Sequence, residues 1–107
     1  MHGAFETMTM RVVHCKRESY DVYIGRPGPW GNPFSHIQGK GDVLVESRDE
    51  AISSYEKMLR SELAGPHADL WKDSLTKIAG KILGCWCSPK SCHGDVLIKI
   101  CSELGLI

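Results

Sequence analysis

The sequence predicts one small α/β domain in which three or four strands and about three helices share a single core. The 107 residues are enough for one core but too few for two. Segments rich in aromatic and β-branched residues alternate with segments of helical period, and the chain contains neither repeats nor a low-complexity stretch. The predicted order is two strands, a loop, two helices, a strand and a last helix.

The amino-terminal part of the chain is expected to supply a leader and two strands. Residues 1–9 show no period and are expected to be disordered, which places the domain at residues 10–107. The apolar pattern predicts strands over residues 10–15 and 20–25, either paired as a hairpin or lying side by side. Residues 26–34 hold three prolines and two glycines, which predict a rigid, shaped loop.

Helical signals dominate the middle of the chain. Residues 47–50 form a capping-box pattern, and the apolar residues that follow recur at helical spacing. After a Gly-Pro break, a second helix is predicted from about residue 67 to 79, with four side chains turned inward: Leu70, Trp71, Leu75 and Ile78. A strand over residues 81–87 and a helix over 93–104 complete the order. The pattern does not fix the state of residues 35–46.

Composition narrows the classes of function. Thirteen basic and thirteen acidic side chains leave no net charge, so the positive field of a protein that coats nucleic acid is missing. The sequence shows no secretory signal and no apolar stretch of about 20 residues. We therefore expect a cytoplasmic protein without a membrane partner. Its five cysteines should then be thiols, metal ligands or core residues rather than a disulfide framework.

Three cysteines and a histidine lie within residues 85–95, where the last predicted strand gives way to the last helix. One interpretation is a zinc site formed by Cys85, Cys87 and Cys92. Neighbouring helical residues project about 100° apart, so Cys92 and His93 are not expected to reach one ion together easily. The fourth ligand would be His93 or one of three distant histidines: His14, His36 or His67.

Other interpretations of this segment stay open. A helix N-terminus lowers a thiol pKa, which suits Cys92 as a nucleophile, with His93 as the base or orienting group and Asp95 beside them. Alternatively, the cysteines are small core residues and Asp95 only favours the helix start. The backbone N–H groups at the turn also suit a phosphate, with Lys90 and Arg26 joining them if their two strands are parallel neighbours.

The aromatic residues also allow two interpretations. Trp30 and Phe34 would stack on a base, with Asn32 on its edge, or they would anchor the Gly/Pro loop in the core while Asn32 caps a turn. Trp71 and Trp86 are expected in the core. Cys15 and Cys101 carry no signal beyond packing.

Three ordered motifs resemble the signatures of the domain of unknown function 4326 family: residues 20–26, residues 30–34, and residues 83–87 followed by 92–97. That family occurs in bacteriophages and bacteria, and the resemblance spans residues 10–104. It implies a small stand-alone α/β domain of phage or prophage type, acting in the host cytoplasm. The residues that match its motif positions are Arg26, Trp30, Asn32, Cys85, Cys87, Cys92, His93 and Asp95.

The leading hypothesis is a small Rossmann-like, three-layer domain that binds a nucleotide or a related phosphorylated small molecule at the ends of its strands. Arg26, Lys90 and the backbone of residues 92–95, which includes Gly94, would hold phosphate. Trp30 or Phe34 would stack on the base, and Cys92, His93 and Asp95 would be catalytic or would orient the ligand. Such a domain would process or sequester a nucleotide, and a dimer is compatible with its small size. The competing hypothesis is a zinc-stabilised module with structural cysteines, whose Gly/Pro loop contacts a protein or DNA partner.

Overall fold

A computed structural model describes residues 10–107, and the expected leader lies outside the described residues. The described chain forms a small α/β domain with three helices, as the sequence predicts, and with five short strands rather than the three or four expected. In chain order, the elements are β1 (Arg11–His14), β2 (Val22–Tyr23), β3 (Phe34–Ser35), β4 (Val43–Leu44), α1 (Arg48–Leu63), α2 (Ala68–Ile78), β5 (Ile82–Cys85) and α3 (His93–Glu103).

The main sheet is parallel, with the strand order β1–β5–β2. His14 at the end of β1 lies opposite Cys85 at the end of β5, and Tyr23 at the end of β2 lies opposite Gly84. Both expected arrangements of the first two strands, the hairpin and the side-by-side pair, are therefore wrong, because β5 lies between them. Parallel neighbours require long crossovers rather than a tight turn. All three strands end at the same edge of the sheet, so the residues that follow them meet there.

Residues 35–46, whose state the sequence pattern does not fix, supply part of a second, two-stranded sheet. Its strands β3 and β4 are parallel, and the amides of Val43 and Val45 donate to the carbonyls of Pro33 and Ser35, both at 2.9 Å. Gly41, just before β4, lies close to the backbone of Pro33, and a Cβ at this position would be 2.7 Å from the Pro33 oxygen. A residue with a side chain would therefore not fit here without a shift of the backbone. This sheet packs beside α1 and forms one wall of the site described below.

Helix α1 begins as the capping pattern predicts. The Ser47 hydroxyl accepts from the amide of Glu50 at 3.0 Å. Farther along, Arg60 pairs with Glu103 of α3 at 2.9 Å, so α1 and α3 are tied together at the surface. No helix in the part of the chain that the structure describes is long and apolar enough to cross a membrane.

The core lies between the helices and the main sheet, but two residues expected in it are exposed. In α2, Trp71, Leu75 and Ile78 follow the spacing of one helical face, and Leu70, which falls outside it, is 68% exposed. Trp86 is 54% exposed because β5 ends at Cys85, which puts the tryptophan beyond the sheet edge. The largest side chains that are fully buried are Ile24, Leu59, Leu75, Leu83, Leu97 and Ile100.

Candidate functional site

A cleft of about 450 Å³ opens where β2 and β5 end. Its walls are the residues after β2, the loop between β5 and α3, the second sheet and the first turn of α1. A volume of this size is typical of sites that enclose a small organic ligand. The side chains that matter most for its chemistry are Arg26, Lys40, Arg48, Trp86, Cys87 and His93.

The polar lining of the cleft is cationic. Arg26, Lys40 and Arg48 come from three different segments, and the lining, all of it within residues 10–107, contains neither aspartate nor glutamate. Cations that converge on a partly enclosed space raise the local concentration of anions. The cleft is therefore electrostatically suited to a negatively charged ligand although the chain as a whole is neutral.

Arg26 has two partners in the Gly/Pro loop. Its Nε donates to the carbonyl oxygen of Asn32 at 2.6 Å, and Nη2 donates to that of Phe34 at 3.1 Å. A guanidinium has five N–H groups, so three remain for a ligand. Arg26 therefore shapes the loop as well as contributing charge to the cleft.

The Gly/Pro loop is anchored in the core, which is the second of the two interpretations that the sequence allows. Trp30 is only 7% exposed and packs edge-on against Trp71 at 5.9 Å between ring centres. The buried amide of Asn32 donates from Nδ2 to the carbonyl of Ala51 at 3.1 Å and accepts from the amide of Phe34 at 2.9 Å. Asn32 borders the cleft while joining the loop to α1, whereas Trp30 lies away from the cleft.

A buried group of side chains of the types that ligate metals lies at the cleft floor. The sulfur atoms of Cys85 and Cys92 and a ring nitrogen of His93 all lie within 4.8 Å of one another. The expectation that adjacent Cys92 and His93 would struggle to reach one ion is wrong for a local reason. Cys92 is the N-cap of α3 with extended backbone angles, so the two side chains are not related by the helical rotation.

Cys87 is the half-buried third thiol of the cluster. Hydrogen bonding with Cys85 and Cys92, together with the nearby Arg48 guanidinium, lowers the pKa of Cys87. The hydrogen bond with Cys87 raises the pKa of Cys85, and the hydrogen bonds with Cys85 and Cys87 raise the pKa of Cys92. The cluster therefore favours a single thiolate on Cys87, which accepts hydrogen bonds from the thiols of Cys85 and Cys92.

His93 is held in one orientation by the strand that leads into the cleft. Its Nε2 lies 2.7 Å from the carbonyl oxygen of Ile24, and its ring meets Tyr55 edge-on at 4.9 Å. A carbonyl only accepts hydrogen bonds, so Nε2 carries the proton and the lone pair of the neutral ring is on Nδ1. Burial lowers the pKa of His93, which favours that neutral form.

The N-terminus of α3 is already capped by its own side chains. Cys92 Sγ accepts from the Gly94 amide, and the Asp95 carboxylate accepts from the Cys92 amide, both at 3.2 Å. These amides, which the sequence pattern suggests for a phosphate, are therefore engaged. Gly94 packs against the sheet, where a Cβ would lie 2.5 Å from Val12 Cγ2. Lys90 is exposed and lies outside the cleft lining.

Sequence reasoning missed Lys40 and Arg48 and placed Trp86 in the core. Arg48 opens α1, and its Nη1 approaches the Ser91 carbonyl at 3.5 Å across the cleft. A cation in the first turn of a helix is unfavourable beside the positive end of the helix dipole. The position of Arg48 was therefore the one signal in the sequence that it has a functional role. Trp86 lines the cleft, and its Nε1 donates to the Tyr23 hydroxyl at 2.9 Å.

Comparison with known proteins identifies the family. The model of the domain of unknown function DUF4326 matches residues 10–103. A protein of Enterobacteria phage T4, described as an uncharacterized 12.4 kDa protein in the nrdA-td intergenic region, is 35% identical over 95 residues, which cover 88% of this chain and 79% of the phage protein. No solved structure matches significantly. The chain belongs to the DUF4326 family, as its three ordered motifs predict.

Proposed function

We propose that the cleft binds a nucleotide or a related phosphorylated small molecule, in a Rossmann-like arrangement of parallel strands and helical crossovers. The observation that carries the proposal is the convergence of Arg26, Lys40 and Arg48 on a cleft whose lining has no acidic side chain. The cleft lies beyond the carboxyl ends of β2 and β5, which are parallel neighbours. Open α/β sheets bind their ligands at this edge.

In this proposal, the phosphate is held by side chains rather than by the amides of α3. Arg48 lines the cleft from the start of α1 and Lys40 from the turn between β3 and β4, and Arg26 offers its remaining N–H groups. A hydrogen bond to a charged group contributes about 1.5–3 kcal/mol, whereas micromolar binding requires about 8 kcal/mol. Two or three such contacts therefore supply part of a micromolar affinity, and the rest must come from the base. The ligand does not need to contact the cysteine and histidine side chains at the floor of the cleft.

Trp86 replaces Trp30 as the aromatic group that would stack on a base. Its ring is exposed, lines the cleft and is fixed at one end by the hydrogen bond to Tyr23. Stacking of a base on an aromatic ring contributes about 1–3 kcal/mol and tolerates different bases. A ligand with phosphate between Arg48 and Lys40 and a base on Trp86 would use both kinds of contact.

The competing interaction module would use the Gly/Pro loop as its contact surface, and the contacts of that loop favour the cleft instead. Trp30 packs against Trp71, and Asn32 donates to the carbonyl of Ala51, so both side chains hold the loop to the domain. A loop that reads a partner needs such groups to be free. The proposal concerns binding only. Once the ligand is identified, its fate on the protein would show whether it is sequestered or converted.

Isothermal titration calorimetry tests the proposal with adenosine and guanosine mono- and triphosphates and with inorganic pyrophosphate. We expect Arg48→Gln to weaken binding by about 10- to 100-fold, the equivalent of one charge-assisted contact. Lys72→Gln is the matched control, because Lys72 is exposed on α2 and lies outside the cleft lining. If the wild-type chain binds none of these ligands, or if both variants bind equally well, the proposal fails.

A further inference from the structure

The cluster at the cleft floor has the composition and spacing of a metal centre. We propose that Cys85, Cys92 and His93, whose ligand atoms lie together, bind one zinc ion, and that Cys87, which hydrogen-bonds with both of these thiols, is the fourth ligand. The site would clasp the end of β5 to the start of α3 and form the floor beneath the anion-binding cleft. It goes beyond the proposed ligand binding and does not depend on it.

The distances among three of the four proposed ligand atoms are compatible with a tetrahedral site. Zinc–sulfur bonds of about 2.3 Å and zinc–nitrogen bonds of about 2.0 Å put ligand atoms about 3.6–3.8 Å apart. The ligand atoms of Cys85, Cys92 and His93 lie within 4.8 Å of one another. Each pair therefore needs to close by about 1 Å at most, which small side-chain rotations can supply.

His93 is arranged as metal-binding histidines usually are. Such a histidine donates its second ring N–H to a carbonyl or carboxylate, which fixes the tautomer and aims the lone pair. Here the Ile24 carbonyl is 2.7 Å from Nε2, so Nδ1 has the lone pair that the ion would use.

The surroundings compensate the charge of the proposed centre. Zinc bound by three thiolates and a neutral imidazole has a net charge of −1, and Arg48 lies beside Cys87. The Gly94 amide donates to Cys92 Sγ at 3.2 Å, and the N-terminus of α3 adds further partial positive charge. A buried thiolate at Cys92 would therefore be stabilised on two sides.

Burial distinguishes the roles of the four side chains. Cys85, Cys92 and His93 are buried, so they would hold the ion in a dry site. Cys87 is only half-buried and lines the cleft. Its replacement should weaken metal binding without removing a core side chain, which makes it the variant to test.

The test uses the full chain, purified without an affinity tag from zinc-supplemented cultures. Elemental analysis and native mass spectrometry should find close to one zinc per chain. Exchange with Co²⁺ should give the thiolate charge-transfer band and the intense visible bands of a tetrahedral cobalt site. In competition with a chromophoric chelator, Cys87→Ser should bind zinc at least about tenfold more weakly than the wild type.

Cys15→Ser is the matched control, because Cys15 lies after β1 and outside the cluster. It should keep the wild-type zinc content and affinity. A folded wild-type chain that holds no stoichiometric zinc and gives no tetrahedral cobalt spectrum would overturn the proposal, as would equal losses in the two variants. If elemental analysis instead finds iron together with acid-labile sulfide, the choice of zinc is wrong. Nucleotide titration of the same samples is a separate readout, so failure of either proposal can be recognised by itself.

Discussion

His93 points its Nε2 at the carbonyl oxygen of Ile24, 2.7 Å away. This contact joins the first residue of α3 to the residue that follows β2, across the sheet edge where the cleft opens. It also fixes the ring so that one nitrogen is a donor and the other has a free lone pair. The chemistry available at the cleft floor depends on that polarity.

The first prediction concerns this tautomer. Burial lowers the pKa of His93 below its usual 6.5, so the ring should be neutral at neutral pH, with the proton on Nε2. Long-range ¹⁵N–¹H spectra of histidine-labelled, chelator-treated protein measure this directly. A ring protonated on Nδ1 alone would contradict the assignment, and the exposed His36 provides an internal comparison.

The second prediction concerns thiol reactivity in chelator-treated protein. Hydrogen bonds from Cys85 and Cys92, and the neighbouring Arg48, lower the pKa of Cys87, which is also half-buried rather than enclosed. Cys87 should therefore be alkylated first by iodoacetamide at neutral pH, as followed by peptide mass spectrometry.

Two other cysteines serve as references in that experiment. Cys101 is fully buried and burial raises its pKa, so it should react last. Cys15 is partly exposed and lies outside the cluster. If Cys15 reacts before Cys87, the thiolate is not centred where the structure indicates.

The third prediction tests how α3 is seated on the sheet. A methyl group at Gly94 would lie 2.5 Å from Val12 Cγ2 and 2.8 Å from Ile24 Cδ1. Gly94→Ala should therefore lower the free energy of unfolding by about 1–3 kcal/mol, as overpacking does. Urea denaturation measures the change, and Ser102→Ala, at an exposed site on the same helix, should stay within about 0.5 kcal/mol of the wild type. Equal stabilities of the two variants would show that α3 can shift to admit the methyl group.

The fourth prediction concerns acid stability. Hydrogen bonds from Arg60 lower the pKa of Glu103, and those from Lys99 and Arg60 lower the pKa of Glu56. The unfolded chain therefore binds more protons than the folded chain when the pH falls below 4.5. The stability from these carboxylates is present above that pH and is lost as the pH falls through their folded-state pKa values.

Arg60→Gln should flatten this acid dependence, because it removes the partner that α1 and α3 share. Urea midpoints measured at neutral pH and below 4.5 give the slope. Lys77→Gln is the control, since Lys77 pairs with Asp73 within α2 alone. An unchanged slope in Arg60→Gln would show that these exposed pairs contribute nothing measurable, as many surface ion pairs do.

The sequence predicts the elements well where local signals are strong. Ser47 and Glu50 mark the start of α1, and the apolar period locates α2 and α3 to within one or two residues. The order of strands is harder, because nothing local in β1 or β2 indicates that β5 inserts between them. That pairing is decided by contacts between residues about 60–70 positions apart.

The candidate site, like the fold, was predictable where its residues are close together in the sequence. The cysteine segment is contiguous, so Cys85, Cys87, Cys92 and His93 stand out as a group in the sequence itself. Arg48 and Lys40 come from distant segments and reach the cleft only through tertiary packing. Trp86 is exposed rather than in the core, because periodicity does not show where a strand stops, and Trp30 is buried, as one of its two interpretations predicts.

The central claim is that the cleft at the ends of β2 and β5 binds a phosphorylated small molecule. Amide ¹H–¹⁵N NMR of the full chain, titrated with adenosine and guanosine triphosphates and then with pyrophosphate, tests it most directly. The account predicts saturable shifts confined to the cleft walls, at Gly25, Lys40, Arg48, Trp86 and Ser91. No shifts with any of these ligands, or shifts centred on the exposed face of α2, would contradict it.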